Sequence, residues 1–160
     1  MNEQERIISP LAYDILEKAR MKAEESHNPF VTPEHVLFLI SSNQEFQKCL
    51  HKLSMDPDFF KSRLHLFLSS LPASQDNNSA VMVSASLREA LEIAGLTANL
   101  VDKKPVGIVH LLIGIAEQRD TLAGYLLREN PEILKEFGVP AFFLKGYSES
   151  PAANYCTNRI

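Results

Sequence analysis

Two stretches of this chain carry the same pattern: Val-Thr-Pro-Glu-His-Val-Leu at residues 31–37 and Val-Gly-Ile-Val-His-Leu-Leu at residues 106–112. Their histidines, His35 and His110, lie 75 residues apart, and when residues 9–41 are aligned without a gap on residues 84–116, nine of the 33 positions are identical. A repeat at a fixed period indicates tandem duplication, and two copies are too few for a solenoid. The sequence therefore predicts an all-α fold of two similar helical units packed with pseudo-twofold symmetry, an architecture that usually forms binding surfaces.

Length and composition limit the class of protein. The 160 residues, 45% of them hydrophobic, are enough for one domain but not for a second large one. The strongly apolar stretch 36–40 is far shorter than the roughly 20 residues of a membrane span, and the polar, acidic first six residues do not resemble a secretory signal. Cys49 and Cys156 are too few for a disulfide framework, which favours a reducing compartment. We therefore expect a cytoplasmic protein with no membrane partner.

Capping residues followed by proline mark four helix starts, because the cap satisfies one free amide and proline removes another. They are Ser9-Pro10, Thr32-Pro33, Asp56-Pro57 and Asn130-Pro131. With the spacing of apolar residues, the starts predict a first repeat at 9–71 with helices at about 10–26, from 33, at 44–53 and at 57–71. The helix from 33 is apolar nearly all round and is expected to be buried.

The second repeat follows a linker. Residues 72–80 lack apolar periodicity, which predicts a linker over 72–85. Ser86 and Glu89 are spaced as a capping box, so we expect the second repeat, 86–144, to begin there. We expect a loop at 101–107, a second buried helix over 108–115, and a shorter last helix that Gly138 and Pro140 end. The domain is thus predicted to span 1–144, followed by a flexible tail or interdomain linker at 145–160.

The chain lacks the residue patterns of common catalytic and cofactor sites. It contains no glycine-rich loop ending in Gly-Lys-Ser/Thr, and no Cys-x-x-Cys or His-Glu-x-x-His motif, so we predict no enzyme activity, no bound ATP, no cofactor and no metal site. A nucleophilic pair of Cys49 with His35 is the alternative, but Cys49 shares a helix face with apolar residues. The net charge of −4 argues against nucleic acid as a partner. The isolated domain is expected to be monomeric, because each repeat covers the apolar helices of the other.

The repeated histidines and the glutamate beside the first one are expected to differ in role. His35 and His110 stand at equivalent places in the first turn of buried helices, where an imidazole can bond to a neighbouring loop backbone, so we predict a structural role. Glu34 is expected to point into solvent. It would either stabilise the helix dipole or contact a partner. The second interpretation is encouraged by Pro29 and Phe30, which are unusual residues for a solvated turn.

These motifs resemble a known family. Residues 27–37 and 106–112 are similar to the paired Thr-x-Glu-His-Leu-Leu signature of Clp amino-terminal domains, and Ala-Gly-Tyr-Leu-Leu-Arg at 123–128 is similar to a stretch of ClpA-type proteins. The resemblance spans about residues 7–137. It implies a Clp repeat domain in front of the ATPase rings of a Hsp100 unfoldase, where ATP and Mg bind in downstream domains. Such a domain receives adaptors and protein substrates for a ClpP-type peptidase, and in ClpA-type members the adaptor is ClpS.

The chain also departs from the family pattern. Val109 replaces the signature glutamate in the second copy, so the paired acidic pockets that bind phosphoarginine in ClpC-type members are not expected. Glu89 stands where ClpA-type sequences carry a basic residue, so one adaptor contact is expected to be missing or reversed. Matching positions place the partner-binding residues at Pro29, Phe30, Glu34, Ser84 and Arg88. The alternatives are the amino-terminal domain of a type VI secretion ATPase, a stand-alone Clp-like binding protein, and a small enzyme that uses Cys49 and the histidines.

Overall fold

The structure, a computed structural model, describes residues 7–74 and 80–144. Its secondary structure consists of the following elements in chain order: α1 (Pro10–Glu25), β1 (Phe30–Val31), α2 (Pro33–Ser41), α3 (Gln44–Lys52), α4 (Phe59–Ser69), β2 (Met82–Val83), α5 (Ala85–Leu96), a π-helical segment (Thr97–Asp102), α6 (Ile108–Ala116), α7 (Leu122–Arg128), α8 (Pro131–Glu136) and a 3-10 turn (Ala141–Leu144). The predicted all-α pair of repeats is confirmed, with α1–α4 in the first repeat and α5–α8 in the second.

Helices α2 and α6 form the centre of the molecule. They contact each other, and each also packs on the first helix of its own repeat. Every residue of α6 except Val109 is buried, as expected for a short helix that is apolar on all faces. Gly114 lets α6 approach α5 closely, because a Cβ at this position would lie 2.1 Å from the backbone oxygen of Ala90. One hydrophobic core therefore runs through both repeats.

Two short parallel strand pairings join the two repeats. β1 pairs with β2, with Val31 opposite Val83, and Ile8 forms an isolated parallel bridge with Val106. Ile8 and Val83 are equivalent residues 75 positions apart, as are Val31 and Val106. The segment before the first helix of each repeat thus pairs with the segment before the second helix of the other. The two pairings are therefore related by the pseudo-twofold symmetry of the repeats.

The helix caps agree with the sequence at some starts and differ at others. Ser9 and Thr32 cap α1 and α2 with their side chains. The expected capping box at Ser86 is wrong: the cap of α5 lies two residues earlier, at Ser84, whose side chain accepts the Leu87 N–H at 3.1 Å. The Asp56 carboxylate accepts the Asp58 N–H at 2.9 Å in a turn that precedes α4, so that helix begins two residues after Pro57 rather than at it.

Two predicted loops contain regular structure. Residues 97–102, partly assigned to a loop, continue α5 as a π-helix that ends at Lys103 in a left-handed conformation, with φ of 53°. The predicted linker contains β2 and the first residue of α5. The tail at 145–160, with Cys156, lies outside the described residues. In the described ranges, no helix is long and apolar enough to cross a membrane.

Candidate partner-binding site

Exposed apolar side chains surround the β1–β2 pair. Met21, Phe30, Met82 and Val83 are 48%, 46%, 60% and 38% exposed. We call these four residues the strand-pair surface. Phe30 and Met82 are direct partners across the two strands, so their side chains project from the same face of the sheet. Adjacent apolar side chains left open to solvent are typical of a surface that binds another molecule.

Two grooves meet at Met82. The larger, of about 630 Å³, lies between the end of α1 and the strands and includes Met21, Pro29 and Phe30 in its wall. The smaller, of about 480 Å³, lies between β2 and α5 and is lined by Met82, Val83, Arg88, Leu91 and Glu92. The strand-pair surface therefore has one depression on each side of Met82, and both repeats contribute to it.

The charges around the larger groove are mainly negative. Arg20 lies between Glu17 and Glu24, at 2.8 Å and 2.6 Å from their carboxylate oxygens, and hydrogen bonding to Glu17 raises the Arg20 pKa above its ordinary value. Glu25 also lines this groove, and its carboxylate makes no ion pair with any described residue. The groove can therefore accept a cationic group beside an apolar one.

Four of the five residues predicted to bind a partner lie at this surface. Pro29 and Phe30 line the larger groove, and Arg88 lines the smaller one. Ser84 lies directly after β2, where its hydroxyl group is occupied as the α5 cap. Met21, Met82 and Val83 were not predicted. The adjacent apolar pair Met82-Val83, at the end of a polar linker, was the signal that could have identified two of them.

Glu34 does not belong to this surface, and the prediction that it points into solvent is wrong. It is 3% exposed. Its Oε2 accepts the backbone N–H of Ala123 at 2.9 Å, in the first turn of α7 in the other repeat. A carboxylate at a helix start accepts a hydrogen bond from a free backbone amide and interacts favourably with the positive end of the helix dipole. Glu34 therefore joins the two repeats, and a partner has no direct access to its side chain.

His35 is buried and orders the loop in front of α2. Its Nδ1 accepts the Thr32 backbone N–H at 3.0 Å, so Nε2 carries the ring hydrogen and donates to Asn28 Oδ1 at 3.0 Å. Burial, with a smaller contribution from the nearby Lys22 cation, lowers the His35 pKa to about 4. The ring is therefore neutral at physiological pH.

His110 occupies the equivalent position with a different partner. Its Nδ1 accepts the Gly107 N–H at 2.9 Å, and its Nε2 lies 2.7 Å from Asp102 Oδ2. Asp102 is the last residue of the π-helical segment. Each histidine thus connects the start of its buried helix to the segment before it, which is the loop residue Asn28 for His35 and the last π-helical residue for His110.

The structure does not bring together a catalytic or metal site from the candidate residues. The Cys49 thiol is buried and lies 3.9 Å from the Ile133 carbonyl oxygen, and burial raises its pKa, which disfavours the thiolate. Among residues 7–74 and 80–144, no group of three His, Cys, Asp or Glu side chains is arranged to hold a metal ion.

Arg128, the last residue of the Ala-Gly-Tyr-Leu-Leu-Arg motif, has a structural role. It is 8% exposed, and its Nη1 donates to the carbonyl oxygens of Ala116 and Gln118 at 2.8 Å and 3.2 Å. These carbonyls lie at and just beyond the end of α6, where no further helical amide is available to them. The motif thus stabilises the connection between α6 and α7.

Solved structures with the same fold include the N-domains of Hsp104 and ClpV. The chain is similar to the Hsp104 N-terminal domain from Candida albicans, with 18% identity, coverage of 91% of each chain and a TM-score of 0.65. It is also similar to the N-domain of ClpV from Vibrio cholerae, with 20% identity, coverage of 89% of this chain and 88% of that one, and a TM-score of 0.64. A ClpV N-domain in complex with a VipB peptide is 19% identical, with coverage of 89% and 90% and a TM-score of 0.62.

The paired helical repeats define an all-α domain of two similar units. The model of the Clp repeat (R) N-terminal domain family matches residues 8–130. This chain therefore belongs to the Clp repeat N-terminal domain family, as the two histidine motifs predicted.

Proposed function

We propose that this chain is the partner-docking domain of an Hsp100-type ATPase and that it binds proteins on the strand-pair surface. The observation that carries the proposal is the exposed apolar surface of Met21, Phe30, Met82 and Val83 between two grooves. Such anchors, surrounded by charged and polar side chains, are typical of protein interfaces. In this proposal the chain itself has no catalytic activity and works in the cytoplasm.

The finer proposal is a ClpA-type domain that receives a ClpS-like adaptor and protein substrates for a ClpP-type peptidase. The sequence at 123–128 and the position of Arg88 beside the smaller groove support it. The second candidate is the N-domain of a type VI secretion ATPase. The fold similarity to ClpV N-domains, one of which was solved with a VipB peptide, favours this candidate.

Binding measurements with surface variants test the proposal. Met82→Ser and Phe30→Ser remove exposed apolar area without opening the core, so we expect the wild-type midpoint of unfolding and at least about tenfold weaker binding, as for interface anchors. Two ligands are measured by calorimetry: a ClpS-type adaptor and a VipB-type peptide. Tight binding of only one of them selects between the two candidates.

The matched control is Leu66→Ser on α4. Leu66 is 74% exposed and lies outside both grooves, so the variant loses a similar apolar area elsewhere. We expect it to bind like the wild type. If a ligand binds the domain and its affinities for Met82→Ser, Phe30→Ser and the wild type are equal, the strand-pair surface does not bind that ligand.

A further inference from the structure

The outer edge of β2 is an open strand edge. The Met82 N–H donates to the Pro29 carbonyl at 3.1 Å, and the Ser84 N–H donates to the Val31 carbonyl at 3.0 Å. Because consecutive residues of a strand direct their backbone groups to opposite sides, the N–H and C=O of Val83 point away from β1. The Val83 N–H makes no hydrogen bond to any residue of the described ranges. The sheet therefore ends at β2 with unpaired groups facing outward.

The space beside this edge is a groove rather than a packed neighbour. Val83 shares the 480 Å³ groove with Arg88, Leu91 and Glu92 of α5. Leu91 gives the groove a partly buried apolar wall, while Arg88 and Glu92 contribute one charge of each sign. A third strand laid in this groove would pair with Val83 and place alternate side chains against Met82 and Leu91.

The charges beside the start of β2 favour a basic residue in a segment that binds along this strand. Residues 80–82 also line the 630 Å³ groove, together with Arg20, Glu24 and Glu25. Arg20 is already paired with Glu17 and Glu24, so the Glu25 carboxylate is left to attract a cation.

We propose that the strand-pair surface binds an extended protein segment that adds to β2 as a third strand and places a basic side chain near Glu25. This inference rests on the proposed docking function and specifies the conformation and charge of the ligand. In this mode backbone hydrogen bonds supply affinity and alternate side chains supply selectivity.

The test uses the hexapeptide acetyl-Lys-Val-Thr-Val-Thr-Phe-amide and two N-methylated forms of it. One form carries N-methyl groups on the two threonines, and the other carries them on the two valines. Because only alternate amides of an added strand face β2, one form is expected to lose at least about tenfold in affinity, equivalent to one or two backbone hydrogen bonds, while the other binds like the parent peptide. Affinities are measured by NMR titration of the protein, and saturating peptide should slow hydrogen exchange at the Val83 amide.

Protein variants provide the reciprocal test. Val83→Pro removes the outward N–H on an edge strand, where proline is tolerated because that N–H has no partner in the sheet, and Val83→Thr keeps the N–H in a side chain of similar shape. We expect the first to lose much more peptide affinity than the second, and replacing the peptide lysine by glutamate should weaken binding to the wild type but not to Glu25→Gln. Equal effects of both methylated forms, an unchanged exchange rate at Val83, or no binding of the parent peptide at millimolar concentration would overturn strand addition. If Met82→Ser still abolishes capture of a whole protein partner in that case, the docking function stands and only its proposed mode is wrong.

Discussion

Glu34 and Ala123 lie 89 residues apart in sequence, and a 2.9 Å hydrogen bond joins the Glu34 carboxylate to the Ala123 backbone N–H. The second repeat has Val109 at the position equivalent to Glu34, so this contact has no counterpart across the pseudo-twofold. It is a place where the two repeats, otherwise similar, have diverged into different structural roles. Because Val109 replaces the signature glutamate, only the first repeat makes this hydrogen bond to the other repeat.

We predict that replacing Glu34 destabilises the fold and affects partner binding only through folding. Glu34→Ala leaves the buried Ala123 N–H without a partner and should reduce the free energy of unfolding by about 1–3 kcal/mol. Glu34→Gln keeps an acceptor oxygen and should cost about 1 kcal/mol. Urea denaturation measures both. The exposed Glu92→Gln on α5 serves as the control and should be near neutral. A stable Glu34→Ala variant with weakened partner affinity would return Glu34 to the binding site.

We predict opposite effects for the same substitution at two glycines of neighbouring helices. Gly114→Ala places a Cβ 2.1 Å from the Ala90 carbonyl oxygen, so α5 and α6 must separate, at a cost of about 2–3 kcal/mol. Gly95→Ala lies inside α5 with no other atom within 4 Å of the added Cβ. It should stabilise the protein by about 0.5–1 kcal/mol through helix propensity. Thermal unfolding of the two variants measures the contrast, and similar midpoints would contradict the close approach of the helices.

The sequence predicts the repeats well because their evidence is local and doubled. Proline after a capping residue marks α1 and α2, and the apolar pattern identifies α6 as buried, so the pair of helical units follows directly. The position of Glu34 could not be read in this way, because its partner is a backbone amide in the other repeat. A glutamate in a first helical turn has the same local pattern whether it faces water or the start of another helix.

Of the four residues of the strand-pair surface, only Phe30 was predicted from the sequence, for a similar reason. Pro29 and Phe30 are conspicuous beside the first motif, but β2 has only two residues, and its apolar side chains become a site only when β1 aligns them. The π-helical segment was missed because a shift from i→i+4 to i→i+5 bonding leaves no periodic signal in six residues. Both features depend on contacts or backbone geometry that no short window of sequence contains.

Ser84 and Arg88, two of the predicted binding residues, should differ in their effects on stability and on partner affinity. Ser84→Ala removes the α5 cap and should lower stability by about 1 kcal/mol, with partner affinity changed only as far as the fold is weakened. Arg88→Glu alters an exposed groove residue and should leave stability within about 0.5 kcal/mol while changing affinity for a charged partner. Denaturation and calorimetry on both variants give the comparison. Unchanged affinity for Arg88→Glu with a partner bound in the smaller groove would contradict its role there.

The buried imidazole of His35 predicts how stability depends on pH. Its pKa is about 4 in the folded protein, against the ordinary histidine value of 6.5 that applies to the unfolded chain, so between these values the unfolded chain binds the extra proton. The stability that the neutral imidazole contributes is complete above about pH 6.5 and is lost as pH falls to 4 and below, by roughly 3 kcal/mol in all.

The loss has a structural cause, because a protonated ring cannot accept the Thr32 N–H and the buried site disfavours its charge. The measurement is the free energy of unfolding from urea titrations between pH 4 and 7. His35→Gln should start less stable, since it disturbs a buried hydrogen-bonded site, but its stability should fall less steeply with acid than that of the wild type. His65→Gln, at an exposed site on α4, should keep the wild-type slope. Equal slopes for the wild type and His35→Gln would show that the imidazole does not carry this pH dependence.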